Sequence, residues 1–379
     1  MTDTRYIPRY YKNLEPYCEP NKVLIIYGAR QVGKTTLLKH YLAECPYRYK
    51  LESGDNLLLQ TTLGTADFKT IKEFTTGYEL IVIDEAQRIP NIGLALKIMA
   101  DQEPNIRIIV TGSSSFELAG QIGEPLTGRK KTLTLFPLAQ LEISQTKNHF
   151  ELKENLEEYL IYGSYPEVIK ATTTQAKRDY ITEITHSYLL KDILELDKVK
   201  NSKTLLDLLR LLAFQIGSEV SHSELAKQLG IDTKTVSRYL DLLEKGFVIF
   251  NLRGFSRNLR KEITKKSKYY FYDTGIRNAL IANFNPISLR NDMGNLWENF
   301  LCIERLKKQS YIPIYANNYF WRTWDQKEID YIEEREGTLY AYEFKWGKEN
   351  KKIPKDWQNA YPDSHYSLIN RNNYLEFIC

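Results

Sequence analysis

Short apolar runs separated by polar turns dominate the first 150 residues of the chain. The runs are KVLIIYG, YRYKLE, ELIVIDEA, IRIIVTGSS and KTLTLFPL, and segments with helical spacing, such as TTLLKHYLAE and GLALKIMADQ, lie between them. Continuous apolar strands that alternate with helices are typical of a parallel sheet covered by helices on both faces. The pattern therefore predicts an α/β domain with a parallel sheet.

Helical periodicity replaces this alternation after residue 150. The segment NLEEYLIYGSYPEVIK predicts a helix, a turn at Gly163 and a second helix that begins near Pro166. The segments YITEITHSYLLKDILEL and SKTLLDLLRLLAFQIG continue with the same periodicity. Their leucines are interpreted as core residues of a helical region.

The segment EVSHSELAKQLGIDTKTVSRYLDLLEKGFVIFNL carries capping signals for two consecutive helices. Ser221 or Ser223 is suited to cap the first helix, Gly230 to end it, and Asp232 to cap a second helix that runs to about Lys245. The apolar segments FVIFNL and KYYFYD follow as strands. Two helices followed by a strand pair predict a winged helix-turn-helix.

The last part of the chain combines one amphipathic helix with strands. DMGNLWENFLCIERLKK is the helix and carries Glu298, while NNYFWRTWDQKEIDYIEE and GTLYAYEFKWG read as strands. Asp330 precedes Glu343 by 13 residues, which suits two antiparallel strands joined by a turn near Gly337. Glu343 and Lys345 are two residues apart on a strand and project from one face. Such a group can hold Mg²⁺ and position a water for attack on a phosphodiester; an ion pair on an exposed sheet is the alternative.

Composition restricts the class of protein. The chain has 379 residues, of which 42% are hydrophobic and 26% are charged, as in ordinary soluble globular proteins. Its four cysteines are far apart and form no CxxC pair, which argues against a zinc site and a disulfide framework. No apolar run approaches the roughly 18 residues needed to cross a bilayer. We therefore expect a cytoplasmic protein without a membrane partner.

Positive charge is concentrated in one segment, RGFSRNLRKEITKKSK, between the two strands that follow the capped helices. It has seven basic residues and one acidic residue, a net charge of +6, whereas the whole chain carries +4. The basic residues are Arg253, Arg257, Arg260, Lys261, Lys265, Lys266 and Lys268. Together with Lys234, Thr235, Ser237 and Arg238 near the start of the second helix, they predict contact with DNA phosphates. A packing module with a solvated charged loop is the alternative.

The motif GARQVGKTT fits the phosphate-binding loop pattern of a glycine, four residues and Gly-Lys-Thr. It follows an apolar strand and opens a helix, so backbone N–H groups and the helix dipole would face phosphate oxygens. Lys34 would reach the β- and γ-phosphates of ATP, and the Thr35 hydroxyl would bind Mg²⁺. The predicted binding residues are Gly28, Ala29, Arg30, Gln31, Val32, Gly33, Lys34, Thr35 and Thr36.

Acidic and hydroxyl residues follow two further apolar strands. LIVIDEAQ places Asp84 beside the predicted Mg²⁺ and Glu85 where it can polarise the attacking water. IRIIVTGSSS places Thr111 or Ser113 near the γ-phosphate or that water. An acidic helix N-terminus is the alternative for the first motif, and a polar strand end is the alternative for the second.

Arg129, in LTGRKKTLTLFPL, has two interpretations. An arginine offered to the γ-phosphate of a neighbouring subunit would raise the hydrolysis rate by roughly 10³ to 10⁵. An arginine packed on a carboxylate of its own domain would serve structure alone.

Several motifs together resemble a known family. YIPRYY ahead of GARQVGKTTLL, with IDEAQRIP, IVTGSSS, LTGRKKTLTLFPL and YGSYPEV, is similar to the AAA+ family of predicted bacterial and archaeal ATPases with a C-terminal nuclease-like domain. The likeness covers nearly the whole chain. It implies a P-loop AAA+ core at residues 1–150, a helical lid over the nucleotide at 151–215, a winged helix at 216–285 and an α/β restriction-endonuclease-like domain at 286–379.

The resemblance also implies roles in the last domain. Glu298, Asp330, Glu343 and Lys345 resemble a PD-(D/E)XK nuclease core, in which the acids bind metal and Lys345 is not a ligand. Ile329 stands where the motif has proline. Both cleavage and binding without cleavage are compatible with such a fold.

The sequence thus predicts an Mg²⁺-dependent ATPase whose nucleotide state is coupled to DNA, with ATP and Mg²⁺ as cofactors. Three outputs stay open: an ATP-switched nuclease, an ATPase whose other domains only bind as a regulator or defence sensor, and an interaction scaffold with a residual nucleotide site. Assembly as a homo-oligomer also stays open.

Overall fold

The computed structural model describes residues 6–113, 125–188, 202–255, 267–323, 325–347 and 352–379. Its strands, in chain order, are β1 (Val23–Tyr27), β2 (Tyr49–Ser53), β3 (Leu80–Asp84), β4 (Arg107–Gly112), β5 (Lys130–Thr134), β6 (Glu219–Val220), β7 (Ile249–Gly254), β8 (Ser267–Phe271), β9 (Asn317–Arg322), β10 (Glu328–Arg335), β11 (Thr338–Phe344) and β12 (His365–Ile369).

The helices of the first half are α1 (Lys34–Ala43), α2 (Leu57–Gly64), α3 (Phe68–Thr75), α4 (Ile92–Gln102), α5 (Gln140–Ile143), α6 (His149–Glu154), α7 (Leu156–Tyr162), α8 (Pro166–Lys170) and α9 (Thr174–Glu183). Those of the second half are α10 (Ser202–Phe214), α11 (His222–Leu229), α12 (Thr233–Lys245), α13 (Thr274–Leu280), α14 (Met293–Tyr311), α15 (Lys355–Ala360) and α16 (Tyr374–Ile378). A π-helical turn, Ile184–Tyr188, continues α9.

The first sheet is parallel, and its described strands lie in the order β2-β3-β4-β1-β5. Successive residues of β1 pack on opposite sides, because Leu24 shares a core cluster with Leu38 of α1 while Ile25 shares another with Met99 of α4. Helices therefore cover both faces, and the predicted α/β architecture with a parallel sheet is confirmed.

The strand order decides where the loops meet. β4 alone separates β1 from β3, so the segments that leave the carboxyl ends of β1 and β3 emerge at one edge of the sheet. In open α/β sheets this edge is where ligands bind. The two strongest sequence motifs therefore converge there.

The predicted turn at Gly163 is confirmed, since α7 ends at Tyr162 and α8 begins at Pro166. Gly163 has φ +78°, and a Cβ there would lie 1.9 Å from Asp273 Oδ1. Asp273 accepts hydrogen bonds from the N–H of Ser164 and of Ile276 in α13, the helix that follows the predicted hairpin strands. The close approach therefore requires glycine.

The capping signals of the helix pair α11–α12 are also confirmed. Ser221 accepts a hydrogen bond from the N–H of Glu224, Gly230 ends α11 in the left-handed region, and Asp232 accepts from the N–H of Thr235. The second helix ends at Lys245, as predicted.

The second sheet crosses the predicted division at residue 285. Its described strands lie in the order β12-β11-β10-β9-β7-β8-β6. β7 runs parallel to β9, with Arg253 opposite Tyr319 and Gly254 opposite Phe320. The strands after the helix pair and those of the last region therefore form one sheet.

Helix α14 contacts both the second sheet and the first domain. Its 19 residues span about 28 Å. Asn299 exchanges hydrogen bonds with the backbone of Phe271 on β8, and Arg305 forms a buried ion pair with Glu333 on β10. Tyr311, at its end, packs against Tyr10 of the N-terminal segment with stacked rings. Helix α14 therefore contacts both the second sheet and the first domain.

Candidate functional site

The segment between β1 and α1 is a tight loop that depends on two glycines. Gly28 has φ +152°, and a Cβ there would lie 2.1 Å from the carbonyl oxygen of Leu135. Gly33 has φ +97° and is the N-cap of α1. Both conformations are readily accessible only to glycine, which lets the loop curl back over the end of β1.

Lys34 fills the centre of this loop. Its side chain is buried, and its Nζ donates hydrogen bonds to the carbonyl oxygens of Gly28 at 2.9 Å and Ala29 at 3.0 Å. An ammonium enclosed by a loop at the start of a helix makes an electropositive concavity suited to phosphate.

Thr35 and Asp84 meet across the edge of the sheet. The Thr35 hydroxyl donates to Asp84 Oδ2 at 2.7 Å, and the Thr111 hydroxyl donates to Asp84 Oδ1. A hydroxyl and a carboxylate side by side offer the hard oxygen ligands that Mg²⁺ prefers. The structure thus brings together the two residues that the sequence predicted as its ligands.

Glu85 is held in a strained backbone conformation. Its φ is +52°, its N–H donates to Thr111 Oγ1 at 3.0 Å, and its carboxylate accepts from Gln87 Nε2 at 2.5 Å. A Cβ at Gly54 would lie 2.2 Å from the Glu85 carbonyl oxygen, so residue 54 supports this conformation only as glycine. Left-handed non-glycine residues concentrate at functional sites, and sequence reasoning missed the support from Gly54.

A cleft of about 600 Å³ opens above these groups. This volume lies within the range of roughly 300–1,000 Å³ typical of small-molecule sites. Its described lining is Tyr6, Ile7, Arg9, Arg30, Gln31, Val32, Gly33, Lys34, Thr35, Thr36, Asp55, Glu85, Arg88, Leu138, Pro166, Glu167, Lys170 and Tyr180. Apolar, aromatic and basic groups together suit a molecule with a ring at one end and negative charge at the other.

The helices after residue 150 close one side of the cleft. Pro166 and Lys170 of α8 line it, and the Tyr180 hydroxyl of α9 donates to Gln31 Oε1 at 2.5 Å. The region expected to form a lid is therefore in direct contact with the phosphate loop.

Arg9 also supports the phosphate loop, and this role was not inferred from the sequence. Its guanidinium is buried, donates to the carbonyl oxygens of Val32 and Phe136, and forms a two-point ion pair with Glu142. The Nη2 atom also donates to the Tyr311 hydroxyl at 3.2 Å. Arg9 lies within YIPRYY, but no local pattern marks a residue that acts through partners 23 to 302 positions away.

Six residues predicted for the nucleotide site lie outside the described lining of the cleft: Gly28, Ala29, Asp84, Thr111, Ser113 and Arg129. Ser113 is buried at the end of β4. Arg129 directly precedes β5 and lies at the amino ends of the strands, whereas the phosphate loop lies at their carboxyl ends. Its Nε donates to Asp101 Oδ1 at 2.5 Å. This ion pair matches the interpretation of an arginine packed on its own domain, and action on a neighbouring subunit stays a prediction.

The predicted acidic group of the last region also converges. Carboxylate oxygens of Glu298 on α14 and of Glu328 and Asp330 on β10 lie within 4.8 Å of one another. Asp330 accepts from the N–H of Phe344 at 2.7 Å, next to Glu343 on β11. We call Glu298, Glu328 and Asp330 the acidic cluster. Glu328 was missed, although its spacing of two residues from Asp330 places both on one face of a strand.

The surroundings of Asp330 change the pKa of its carboxyl group. Burial, with the charges of Glu298 and Glu343, raises the pKa of Asp330 well above its ordinary value. Lys345 lies 3.0 Å from Glu343 Oε1. The predicted set of four is therefore together in space, with Glu328 as an additional member.

Lys268 requires a correction. The sequence placed it among the basic residues that contact DNA, but its side chain is 2% exposed, and its Nζ lies 2.8 Å from Glu298 Oε1 and in contact with Glu328 Oε1. Burial lowers the pKa of Lys268, but the two carboxylates outweigh this effect and raise it above the ordinary lysine value. The alternation of β8 turns this lysine inward, which charge counting does not detect.

Some of the other candidate DNA contacts are exposed, one is engaged in a helix cap, and the rest lie outside the described residues. Lys234, Ser237 and Arg238 are exposed on α12, and Arg253 is exposed on β7. Thr235 instead donates its hydroxyl to Asp232 at 2.6 Å. The remaining basic residues, Arg257, Arg260, Lys261, Lys265 and Lys266, lie outside the described residues.

Among the described helices, none is long and apolar enough to span a bilayer.

Three parts of the chain match known sequence families. Residues 20–144 match a family described as an AAA domain. Residues 153–287 and 293–375 match two families described as domains of unknown function, DUF8612 and DUF4143. The phosphate loop, Asp84 and Glu85 therefore lie within the part of the chain that matches the AAA domain family.

Relatives similar to most of the chain are described as uncharacterized proteins. One from Mycobacterium tuberculosis is 28% identical over 333 residues, which cover 85% of this chain and 70% of that protein. One from Haemophilus influenzae is 25% identical and covers 85% and 82%, and one from Methanocaldococcus jannaschii is 24% identical and covers 95% and 83%.

Two solved structures from Thermotoga maritima give weak superpositions. A RuvB variant has 17% identity and a TM-score of 0.30, covering 63% of this chain and 83% of its own. A DNA polymerase III gamma subunit-related protein has 12% identity and a TM-score of 0.25, covering 60% and 93%. At these scores neither likeness bears on function.

Proposed function

We propose that the chain is an Mg²⁺-dependent ATPase that binds and hydrolyses ATP in the cleft above the phosphate loop. The observation that carries this proposal is the pairing of Thr35 with Asp84 beside the enclosed Lys34. The match of residues 20–144 to an AAA domain supports it.

Each residue has a distinct role in this proposal. The N–H groups of the phosphate loop and Lys34 neutralise the β- and γ-phosphates, and the Thr35 hydroxyl and Asp84 hold Mg²⁺. An ion held there would supply positive charge against the negative charge that develops during phosphoryl transfer. Glu85 lines the cleft and orients the attacking water, while Thr111 fixes Asp84 and Glu85 through its hydroxyl.

The test is steady-state ATP hydrolysis together with nucleotide binding by the full chain. Lys34→Ala should lower turnover by roughly 10²- to 10³-fold because it removes a charge aimed at the transferred phosphate. Glu85→Gln should lower turnover by roughly 10²- to 10⁴-fold while ATP binding persists. Lys39→Ala, an exposed lysine of the same helix, is the matched control. Wild-type turnover equal to that of Lys34→Ala would refute the proposal.

We further propose that nucleotide state controls the interaction with DNA, with the predicted winged helix, residues 216–285, and the terminal region, residues 286–379, binding or processing it. The exposed Lys234 and Arg238 at the start of α12, and the exposed Arg253 that opens the basic segment, support this part. A regulator whose terminal region binds without cutting is the second candidate function, and the occupation of the acidic cluster by Lys268 favours it.

Duplex DNA binding measured against salt concentration tests the DNA part. Lys234→Ala/Arg238→Ala should weaken binding and reduce the slope of log K against log[salt] by about 0.9 for each phosphate that the variant no longer neutralises. Lys245→Ala, at the far end of the same helix and paired with Asp241, is the control. Equal slopes in all three proteins would exclude this helix from the interface.

Coupling needs a separate measurement. Glu85→Gln, loaded with ATP, should differ in DNA affinity from the same variant without nucleotide. An unchanged affinity would refute the proposed coupling of nucleotide state to DNA and would not affect the proposal of ATP hydrolysis.

A further inference from the structure

The acidic cluster already contains a cation, and the chain itself supplies it. Lys268 Nζ lies 2.8 Å from Glu298 Oε1 and contacts Glu328 Oε1, and its side chain is almost completely buried. It reaches the cluster from β8, whereas Glu298 comes from α14 and the other two acids come from β10. Three elements therefore enclose one ammonium group.

The nuclease resemblance implies a divalent cation at this place, so the fit can be tested. Mg²⁺ requires oxygen ligands at about 2.0–2.1 Å in near-octahedral geometry. Glu298 Oε1 already accepts from Lys268 and from the Tyr270 hydroxyl, the latter at 2.6 Å. Asp330 Oδ2 already accepts from a backbone N–H. One carboxylate oxygen of Glu298 and one of Asp330 are thus engaged by donors of the chain.

Electrostatics points the same way. A divalent ion bound to Glu298 and Glu328 would lie within a few ångströms of the Lys268 ammonium, and like charges at such a distance repel strongly in a buried environment. Lys268 cannot turn outward to solvent without leaving two carboxylates buried and unpaired, which is costly. With Lys268 in place, Glu298 and Glu328 therefore do not fit a metal.

We infer that Lys268 takes the place of the metal ion in the acidic cluster. The cluster is a structural ion network that joins β8 to α14 and β10, and it serves to hold these elements together rather than to cut DNA. This inference is independent of the proposed ATPase activity, because neither site shares a residue with the other.

Mn²⁺ titration of the nucleotide-free full chain, by calorimetry, tests the inference. Lys268→Met removes the charge and keeps a similar volume, so it should gain one Mn²⁺ site, and Lys268→Met/Glu328→Gln should lose that site again. Lys327→Met is the matched control, because Lys327 neighbours Glu328 in sequence but pairs with Asp356 on the surface. Any Mn²⁺ bound at Thr35 and Asp84 is common to all four proteins and cancels.

The unsubstituted protein provides a test that does not depend on the folding of Lys268→Met. Wild type and Glu328→Gln should bind the same number of Mn²⁺ ions, and wild type should leave plasmid DNA uncut in Mg²⁺ or Mn²⁺. An Mn²⁺ site present in wild type and lost in Glu328→Gln would overturn the inference. So would DNA cleavage that disappears in Asp330→Asn, or a folded Lys268→Met that gains no site.

Discussion

At the scale of single residues, the sequence predicts the residues of the phosphate loop but not the residues that support it. The glycines and the Lys-Thr pair are visible as a motif, because their spacing is fixed by local backbone geometry. Arg9 and Gly54 are invisible, because each acts on a segment that is distant in sequence. The motif was therefore predictable, whereas its supports required the fold.

Replacement of Gly28 measures how closely the loop packs. Gly28→Ala should lower the free energy of unfolding, measured by denaturant titration, by about 2 kcal/mol or more. The reason is that the added Cβ overlaps the Leu135 carbonyl oxygen. Gly128→Ala is the control, since Gly128 also has positive φ but no atom within 4 Å of the added Cβ. Equal losses would show that backbone strain, and not the overlap, sets the cost.

His222 should give the stability a pH dependence. Burial lowers its pKa from the ordinary value of 6.5. The unfolded chain then binds the proton more tightly, so the free energy of unfolding falls as pH falls through 6.5 towards the lower pKa of the folded state. Its ring nitrogens contact Ser237 and Tyr269, which tie α11 to α12 and β8.

Urea unfolding at a series of pH values tests this dependence. His222→Gln should flatten the curve below pH 6.5, whereas His149→Gln, at an exposed position on α6, should leave it unchanged. A curve that keeps its slope in His222→Gln would assign the dependence to another group.

At the scale of elements, predictions succeeded where the determinants are local. The strands of the first sheet, the caps of α11 and α12 and the antiparallel pair β10–β11 at Gly337 follow from periodicity and turn residues. The parallel pairing of β7 with β9 could not be predicted, because strand pairs separated by more than 60 residues leave no periodic signal. The inward turn of Lys268 was missed because the face of β8 that is buried is set by α14 and β10, and charge counting does not detect it.

Asp273 illustrates how one side chain joins elements. It is buried, caps α13 and also accepts from the N–H of Ser164 before α8. Asp273→Ala should lower the free energy of unfolding by roughly 3 kcal/mol, since it leaves two buried donors unpaired. Asp179→Ala, at an exposed position on α9, should have little effect in the same denaturation assay. A decrease of the same size in both would contradict the bridging role.

At the scale of the whole molecule, one hydrophobic cluster runs from Tyr11 near the start to Ile378 near the end. Helix α14 crosses it and touches the Arg9 network at Tyr311. We therefore expect the first domain and the second sheet to unfold together.

Tryptophan fluorescence can report this cooperativity. All five tryptophans lie beyond residue 296, at Trp297, Trp321, Trp324, Trp346 and Trp357. ATP with Mg²⁺ at 100 times its Kd should nevertheless stabilise the transition they report by about 2.7 kcal/mol. Lys34→Ala should remove the shift. A tryptophan transition that ignores saturating ATP in the wild type would show that the two parts unfold separately.

Because β7 pairs with β9, the boundaries of the matched sequence families do not coincide with the boundaries of a folding unit. One matched family of unknown function ends at residue 287 and the other begins at residue 293, yet the second sheet contains strands from both sides of this boundary. A fragment made to either boundary would expose a bare strand edge, β7 in one case and β9 in the other, and bare edges pair with other chains and aggregate. Dissection of this protein should therefore keep residues 202–379 together.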